Sequence, residues 1–237
     1  MSSLVMSIPD GDTALPGMAY PGTGAPLPTV FVFAHGAGAG QASPFMRRYA
    51  ERLAEHGVDV VTFDFPYMAA RRKLPDRPPV LEQAFRAAVQ ASIDRRPGAY
   101  AAVFVGGKSM GGRMATHLAA QPAAWTCPVR LAGAIALGYP LKPPGPRGGD
   151  RVSHLRQLAV PTLVVQGTRD TFGDPDDIQQ AVGPQPLLRI HAVPTGDHSM
   201  KVLASAGRSQ AEVERQIVAT MADWMRTHAV SAPPAAP

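Results

Sequence analysis

Six short apolar runs, most of them followed by a segment of helical periodicity, constrain this chain more than any other feature. They are "TVFVFAHG" (29–36), "VDVVTFDFP" (58–66), "AYAAVFV" (99–105), "LAGAIALGYP" (131–140), "PTLVVQG" (161–167) and "LLRIHAV" (187–193). Such runs lack the in-out alternation of a half-solvated sheet, so they read as strands covered on both faces. Between them, Ser43-Pro44 reads as an N-cap with proline at the first helical position, followed by Phe45, Tyr49 and Leu53 at helical spacing. Leu81, Phe85, Ala88, Val89 and Ser92 mark a second amphipathic stripe, residues 110–121 a third helix, and Val213, Ile217, Met221 and Trp224 the inner face of a last one. The expectation is an α/β fold, a mostly parallel sheet flanked by helices on both faces. The Pro- and Gly-rich stretch 9–28 allows at most one or two short strands. One domain over 1–228 is expected, with 229–237, ending "VSAPPAAP", a disordered tail with nothing to bury.

The stretch "VFVGGKSMGGR" (103–113) admits two incompatible parsings. A phosphate-cradling P-loop, G-x-x-x-x-G-K-[ST], needs its first glycine at position 102, which is Ala102, and a loop where "AAVFV" is instead a strand. The other parsing is G-x-S-x-G over Gly107-Lys108-Ser109-Met110-Gly111. That pattern displays a nucleophilic serine on a tight strand-to-helix turn, and its glycines remove side chains that would strike neighbouring strands. The strand before and the helix after are both in place, so the second parsing stands.

A serine hydroxyl needs a base, and the base needs an orienting carboxylate. In chains of this type the order is Ser, then acid, then His. "LVVQGTRD" brings Asp170 just past one strand, and "HAVPTGDHSM" brings His198 into the loop after the last. Loops at the carboxyl ends of parallel strands converge on one edge of the sheet. Ser109, Asp170 and His198 are therefore the candidate catalytic residues. Asp197 reads as a loop-shaping residue, and Asp174, Asp176 and Asp177 as helix-capping ones. His191 lies within a strand; His56, His117, His154 and His228 lie on helices or their ends. An oxyanion hole needs preset N–H donors. The amide of Met110 supplies one, and Ala37 in "AHGAGAG" (34–40), with Gly36 and Gly38 beside it, the second.

Composition narrows the partners. A net charge of +5 comes from scattered residues rather than a block of five or six, so no nucleic-acid partner is expected. The chain has one cysteine, Cys127, which forms no internal disulfide and fits a reducing compartment. The start "MSSLVMSIPDGD" resembles no signal peptide, and no run of ~18 apolar residues occurs, so a cytoplasmic protein with no membrane partner is expected. No His, Cys or carboxylate cluster has metal spacing, and neither a metal nor a cofactor is expected.

"HGAGAG", "FDFPYM", "RRKLPDRPPVLE", "GGKSMGGRMA", "VQGTRDTFG" and "GDHSMK" resemble the small dienelactone-hydrolase-like α/β-hydrolases, in the branch that includes a testis-expressed protein and a subunit of a chromatin-acetylating complex. The resemblance covers roughly residues 29 to 226. It implies the α/β-hydrolase fold and the same three residues, Ser109, Asp170 and His198. Dienelactone hydrolases proper use a cysteine nucleophile where this chain has Ser109. Between Tyr139 and Pro161 only "PLKPPGPRGGDRVSHLRQLA" intervenes, too short for a cap domain, so an open site is expected. His35, Gly36, Gly38, Tyr67, Arg71 and Arg72 are the candidate substrate-binding residues, the arginines because a guanidinium grips anions; ordinary solvation of a surface loop is the favoured alternative for the arginines. Lys108 and Arg113 flank the nucleophile and either tie the elbow to its neighbours or touch substrate. The expected function is a serine hydrolase cleaving carboxylic esters or related small acyl compounds through an acyl-enzyme. Its activity should rise through neutral pH as the imidazole base loses its proton. Two alternatives remain open: a non-catalytic interaction module on the same fold, and a prolyl-peptidase-like peptidase. Homodimerisation that completes the pocket is also open.

Overall fold

Apolar runs without alternation are satisfied between two layers of helix, and five of the six lie there. The sixth, 187–193, forms an edge strand in which only Val193 is buried, contrary to the expectation of cover on both faces. The structure, a computed structural model, describes residues 3–142 and 149–229. The chain opens with strands β1 (Leu4–Asp10) and β2 (Thr13–Tyr20), then β3 (Thr29–Ala34), helix α1 (Pro44–Glu55), β4 (Asp59–Phe63), the short α2 (Pro66–Ala69) and α3 (Pro78–Arg95). It continues through β5 (Ala102–Lys108), α4 (Met110–Ala119), β6 (Arg130–Leu137), β7 (Thr162–Gly167), α5 (Pro175–Val182), β8 (Leu188–Val193) and α6 (Gln210–Ala229). The strands form one eight-stranded sheet in the order β1-β2-β4-β3-β5-β6-β7-β8. All pairs are parallel except β1 with β2 and β2 with β4.

Alternate residues of each central strand feed opposite layers. Val30, Val32 and Ala34 of β3 pack with the buried faces of α3, α4 and α5. Phe31 and Phe33 pack on the other side with α1 and α6. The capping chemistry fits the sequence. Ser43 accepts from Met46 N at 3.5 Å at the start of α1, and Asp174 and Asp177 form a reciprocal capping box on α5.

Two further features depart from expectation. The N-terminal strands are not short: seven and eight residues long, they pair at seven positions around a turn at Gly11. Proline content disguised them, but Pro9 lies on the outermost strand, where a missing N–H costs no ladder bond with a further neighbour. Helix α6 runs to a buried Ala229, one residue past the expected boundary. The rest of the expected tail, 230–237, lies outside the described residues. In the stretch between Tyr139 and Pro161, where residues 143–148 likewise lie outside, the described part holds one turn of 3₁₀ helix at Ser153–Gln157 and no helical cap. No helix among the described residues is long and apolar enough to cross a membrane.

A polar cluster sits beneath α4. His154 Nε2 lies 3.0 Å from Thr116 Oγ1 and 3.3 Å from Tyr139 Oη, and its ring stands 4.2 Å from that of His117. Burial, with His117 and Arg113 nearby, pushes the His154 imidazole down to about 3. Its folded value is thus below its unfolded one, so between these two values the unfolded chain binds the extra proton. The contribution to stability is complete above the ordinary histidine range and is lost as pH falls from about 6.5 toward about 3. Substitution His154→Gln is expected to flatten the acid limb of stability, read from urea midpoints between pH 7 and 4.

Candidate active site

Strand β5 ends at Lys108 and helix α4 begins at Met110, leaving Ser109 to make the whole reversal. Its backbone, φ 52 and ψ −114, lies where L-residues rarely sit, a strain of order ~1–3 kcal/mol that persists only if neighbours enforce it. They do: Ser109 N donates to Leu137 O at 2.8 Å, and Arg113 N donates to Ser109 O at 2.9 Å. The two elbow glycines answer the expected steric need. A β-carbon on Gly111 would press on the carbonyl oxygen of Ala34 and lie 2.6 Å from that of His35; one on Gly107 would meet the backbone of Gly111 and Gly112. Neither carbonyl belongs to a side chain that can swing away. Gly111→Ala is therefore expected to destabilise the fold by about 3 kcal/mol, lowering Tm by roughly 6–12 °C. Gly38→Ala, whose β-carbon would meet nothing within 4 Å, is the control expected to melt as wild type does.

The structure brings the three sequence-selected side chains into one chain of hydrogen bonds. His198 Nε2 lies 2.9 Å from Ser109 Oγ, and His198 Nδ1 lies 2.8 Å from Asp170 Oδ2. With Asp170 accepting at Nδ1, the remaining nitrogen is free to accept the serine proton. Asp170 is buried, yet well supplied: Gln166 Nε2 donates to Oδ2 and Phe172 N donates to Oδ1, both at 2.8 Å. The loop bearing His198 is shaped by Asp197, whose Oδ1 accepts from Ser199 N at 2.7 Å and Lys201 N at 3.0 Å. That loop lies directly on the end of β6. Gly138, at φ 65, would place a β-carbon 2.6 Å from His198 O.

Gln166 was not singled out from the sequence. Fully buried at the end of β7, it accepts from Tyr139 N at 2.7 Å and donates to Tyr139 O, Asp170 Oδ2 and Gly173 O. It fastens the carboxylate to the adjoining strand end. The available signal was an amide inside the apolar run "TLVVQG", which is costly to bury without partners. Phe172 was missed as well; its ring stands 4.3 Å from that of His198.

Ser109 and His198 open into a cleft of about 390 Å³, lined further by the 36–39 loop, residues 43–46 at the start of α1, Lys108 and Phe172. The N–H groups of Ala37 and Met110 make no hydrogen bond among the described residues. Gly36 and Gly38 also line this cleft, but four other candidate substrate-binding residues are placed differently. His35 is wholly buried, its Nδ1 2.7 Å from Gly36 O and its Nε2 accepting from Phe65 N at 3.0 Å. Burial lowers its pKa, so the neutral ring is favoured. Tyr67, also buried, donates to Ala37 O at 3.0 Å. Both hold the 36–39 loop from behind. Arg71 and Arg72 are exposed and outside the cleft lining, and Arg72 pairs with Asp76 at 2.8 Å. An arginine-rich loop after a strand can point to solvent as readily as to a ligand, and here it does. Of the residues flanking the nucleophile, Lys108 reaches the cleft and Arg113 does not. Cys127 lines a separate hollow of about 310 Å³, and burial raises its thiol pKa, which disfavours a nucleophilic thiolate.

Solved structures share this architecture. A lidless α/β serine hydrolase from Xanthomonas campestris is 16% identical, with TM-score 0.74 over 98% of this chain and 98% of its own. A dienelactone hydrolase from Anabaena variabilis is 20% identical, with TM-score 0.70 over 96% and 98%. An esterase from Pyrococcus furiosus is 15% identical, with TM-score 0.74 over 96% and 92%. At such identities the likeness is one of fold, and it matches a mostly parallel sheet with no lid among the described residues. The sequence model of the alpha/beta hydrolase domain matches residues 28–226, most of the chain, and the protein belongs to that family.

Proposed function

We propose that this protein is a serine hydrolase that cleaves carboxylic esters or related small acyl compounds through an acyl-enzyme. The observation that carries the proposal is the unbroken Ser109–His198–Asp170 chain, with spacings of 2.9 and 2.8 Å, at the mouth of a cleft. His198 takes the Ser109 proton as Oγ attacks the carbonyl carbon. The oxyanion is received by the N–H groups of Met110 and Ala37, each such donor being worth roughly 3–4 kcal/mol in the transition state. His198 then passes its proton to the departing alkoxide, leaving the acyl group on Ser109. A water molecule, deprotonated by the same imidazole, repeats the attack and releases the carboxylic acid. Asp170 holds the ring in the required tautomer and stabilises its charged form. No step calls for a cofactor. The names of the esterase and dienelactone hydrolase neighbours agree with this chemistry. Placement in the branch with a testis-expressed protein and a chromatin-complex subunit belongs to the same proposal and rests on "GKSMGGR" and "FPYM".

The test is fluorophosphonate labelling of the folded protein, with tryptic mapping of the adduct. Labelling at Ser109 together with hydrolysis of 4-nitrophenyl butyrate is the expected result. A folded protein that takes no label would overturn the proposal in favour of a non-catalytic module.

A further inference from the structure

We infer that Lys108 makes this site selective for esters carrying a second, anionic group, a carboxylate borne on the acyl or the alcohol part of the substrate. The inference rests on the serine hydrolase reading and names its substrate class. Lys108 is the cation among the residues that line the cleft, and none of them is an aspartate or glutamate. Its ammonium carries three donors. One points to His198 O at 3.3 Å, and the group stands 5.2 Å from the centre of the Phe45 ring. Lys108 makes no ion pair among the described residues. The two acids whose fields reach it, Asp170 and Asp197, are committed elsewhere: Asp170 to His198, Gln166 and Phe172 N, Asp197 to the backbone of its own loop.

A partly desolvated ammonium with unused donors, facing a substrate cleft, is an unfinished interaction. Burial already lowers its pKa, the mark of a charge short of solvation. A substrate carboxylate would supply the missing acceptor and counter-charge together, and charge-assisted hydrogen bonds of this kind are the strong ones. The rest of the lining, with Phe45, Met46 and Phe172, suits a short hydrocarbon spacer between that anion and the scissile carbonyl. The arginines of the 71–77 loop do not duplicate the role, since Arg71 and Arg72 lie outside the cleft lining.

The experiment compares two pairs of esters that differ in charge. On the acyl side they are the 4-nitrophenyl esters of glutaric acid and of its monomethyl ester. On the alcohol side they are 4-carboxyphenyl and 4-carbamoylphenyl butyrate. The readout is the anionic-to-neutral ratio of kcat/KM in wild type, divided by the same ratio in Lys108→Met, after subtraction of spontaneous hydrolysis. This double ratio cancels intrinsic ester reactivity and any general loss of rate. A value of about tenfold or more in at least one pair is expected, with Lys108→Arg retaining most of it. Should the Met variant fail to fold, Lys108→Gln takes its place. Values within about twofold of one in both pairs would overturn the inference while leaving the hydrolase intact. Absence of both labelling and hydrolysis of all four esters would instead remove the hydrolase reading and this inference with it.

Discussion

Replacing Ser109 with alanine is expected to lower ester turnover by on the order of 10⁶-fold and to abolish fluorophosphonate labelling. The size follows from the geometry. In the proposed mechanism the hydroxyl accepts the acyl group, and it sits 2.9 Å from the imidazole nitrogen that Asp170 leaves free. Without it, the Met110 and Ala37 donors and the cleft can still polarise a bound ester, so a residual rate above that in water is expected. The backbone of residue 109 keeps its positive φ in the variant, because the bonds that enforce it run from main-chain atoms to Leu137 O and Arg113 N. Thermal unfolding should therefore stay within a few degrees of wild type, which separates loss of chemistry from loss of fold. Measured kcat/KM falling by less than about 100-fold would assign the nucleophile elsewhere.

The second large effect is expected for Asp170→Asn, a fall in kcat/KM of about 10⁴-fold from a nearly isosteric change. Both carboxylate oxygens accept hydrogen bonds: Oδ2 from His198 Nδ1 and Gln166 Nε2, Oδ1 from Phe172 N. An amide has one nitrogen that must point somewhere, and every neighbour in reach is a donor. Turned toward Phe172, it leaves two N–H groups face to face. Turned toward His198, it drives the imidazole into the tautomer whose Nε2 carries a proton and cannot take another. Either orientation also leaves a buried donor unmatched, for roughly 1–3 kcal/mol of lost stability. A rate that stays low across the whole alkaline range, together with a lowered urea midpoint, would match this account. An Asn variant retaining a tenth of wild-type activity would remove Asp170 from the role of orienting acid.

Much of the fold was legible because it is local. The continuous runs at 29–36, 58–66, 99–105, 131–140 and 161–167 became strands because uninterrupted apolar sequence is stable between two covered faces. The run at 187–193 became a strand at the sheet edge, where most of its residues keep contact with solvent. Ser43-Pro44 and Asp174 marked helix starts for capping reasons that operate within four residues. The N-terminal hairpin was under-read because its prolines signal turns locally, while the tolerance of Pro9 depends on its strand lying at one edge of a finished sheet. Ser109, Asp170 and His198 were legible as candidates because the chain order and strand-end positions of such residues follow from the topology of a parallel sheet. His35, Tyr67, Arg71 and Arg72 lie outside the cleft lining for the opposite reason. Each stands beside the site in sequence, and only packing decides whether a side chain there faces the cleft, the interior or solvent.

Sequence by itself determined the layers, the strand-turn-helix that displays Ser109, and the order in which an acid and a histidine follow it. Periodicity, turn chemistry and chain order are properties of near neighbours, and these the primary structure states outright. Tertiary structure alone decided that Gln166 fastens Asp170 to β6, that His35 and Tyr67 brace the 36–39 loop from behind, and that Lys108 rather than the arginines of 71–77 brings its charge to the cleft. Those roles depend on which groups meet across tens of residues. No local pattern encodes such meetings; they arise when the two buried faces of the sheet close and each polar group left inside must find its partner.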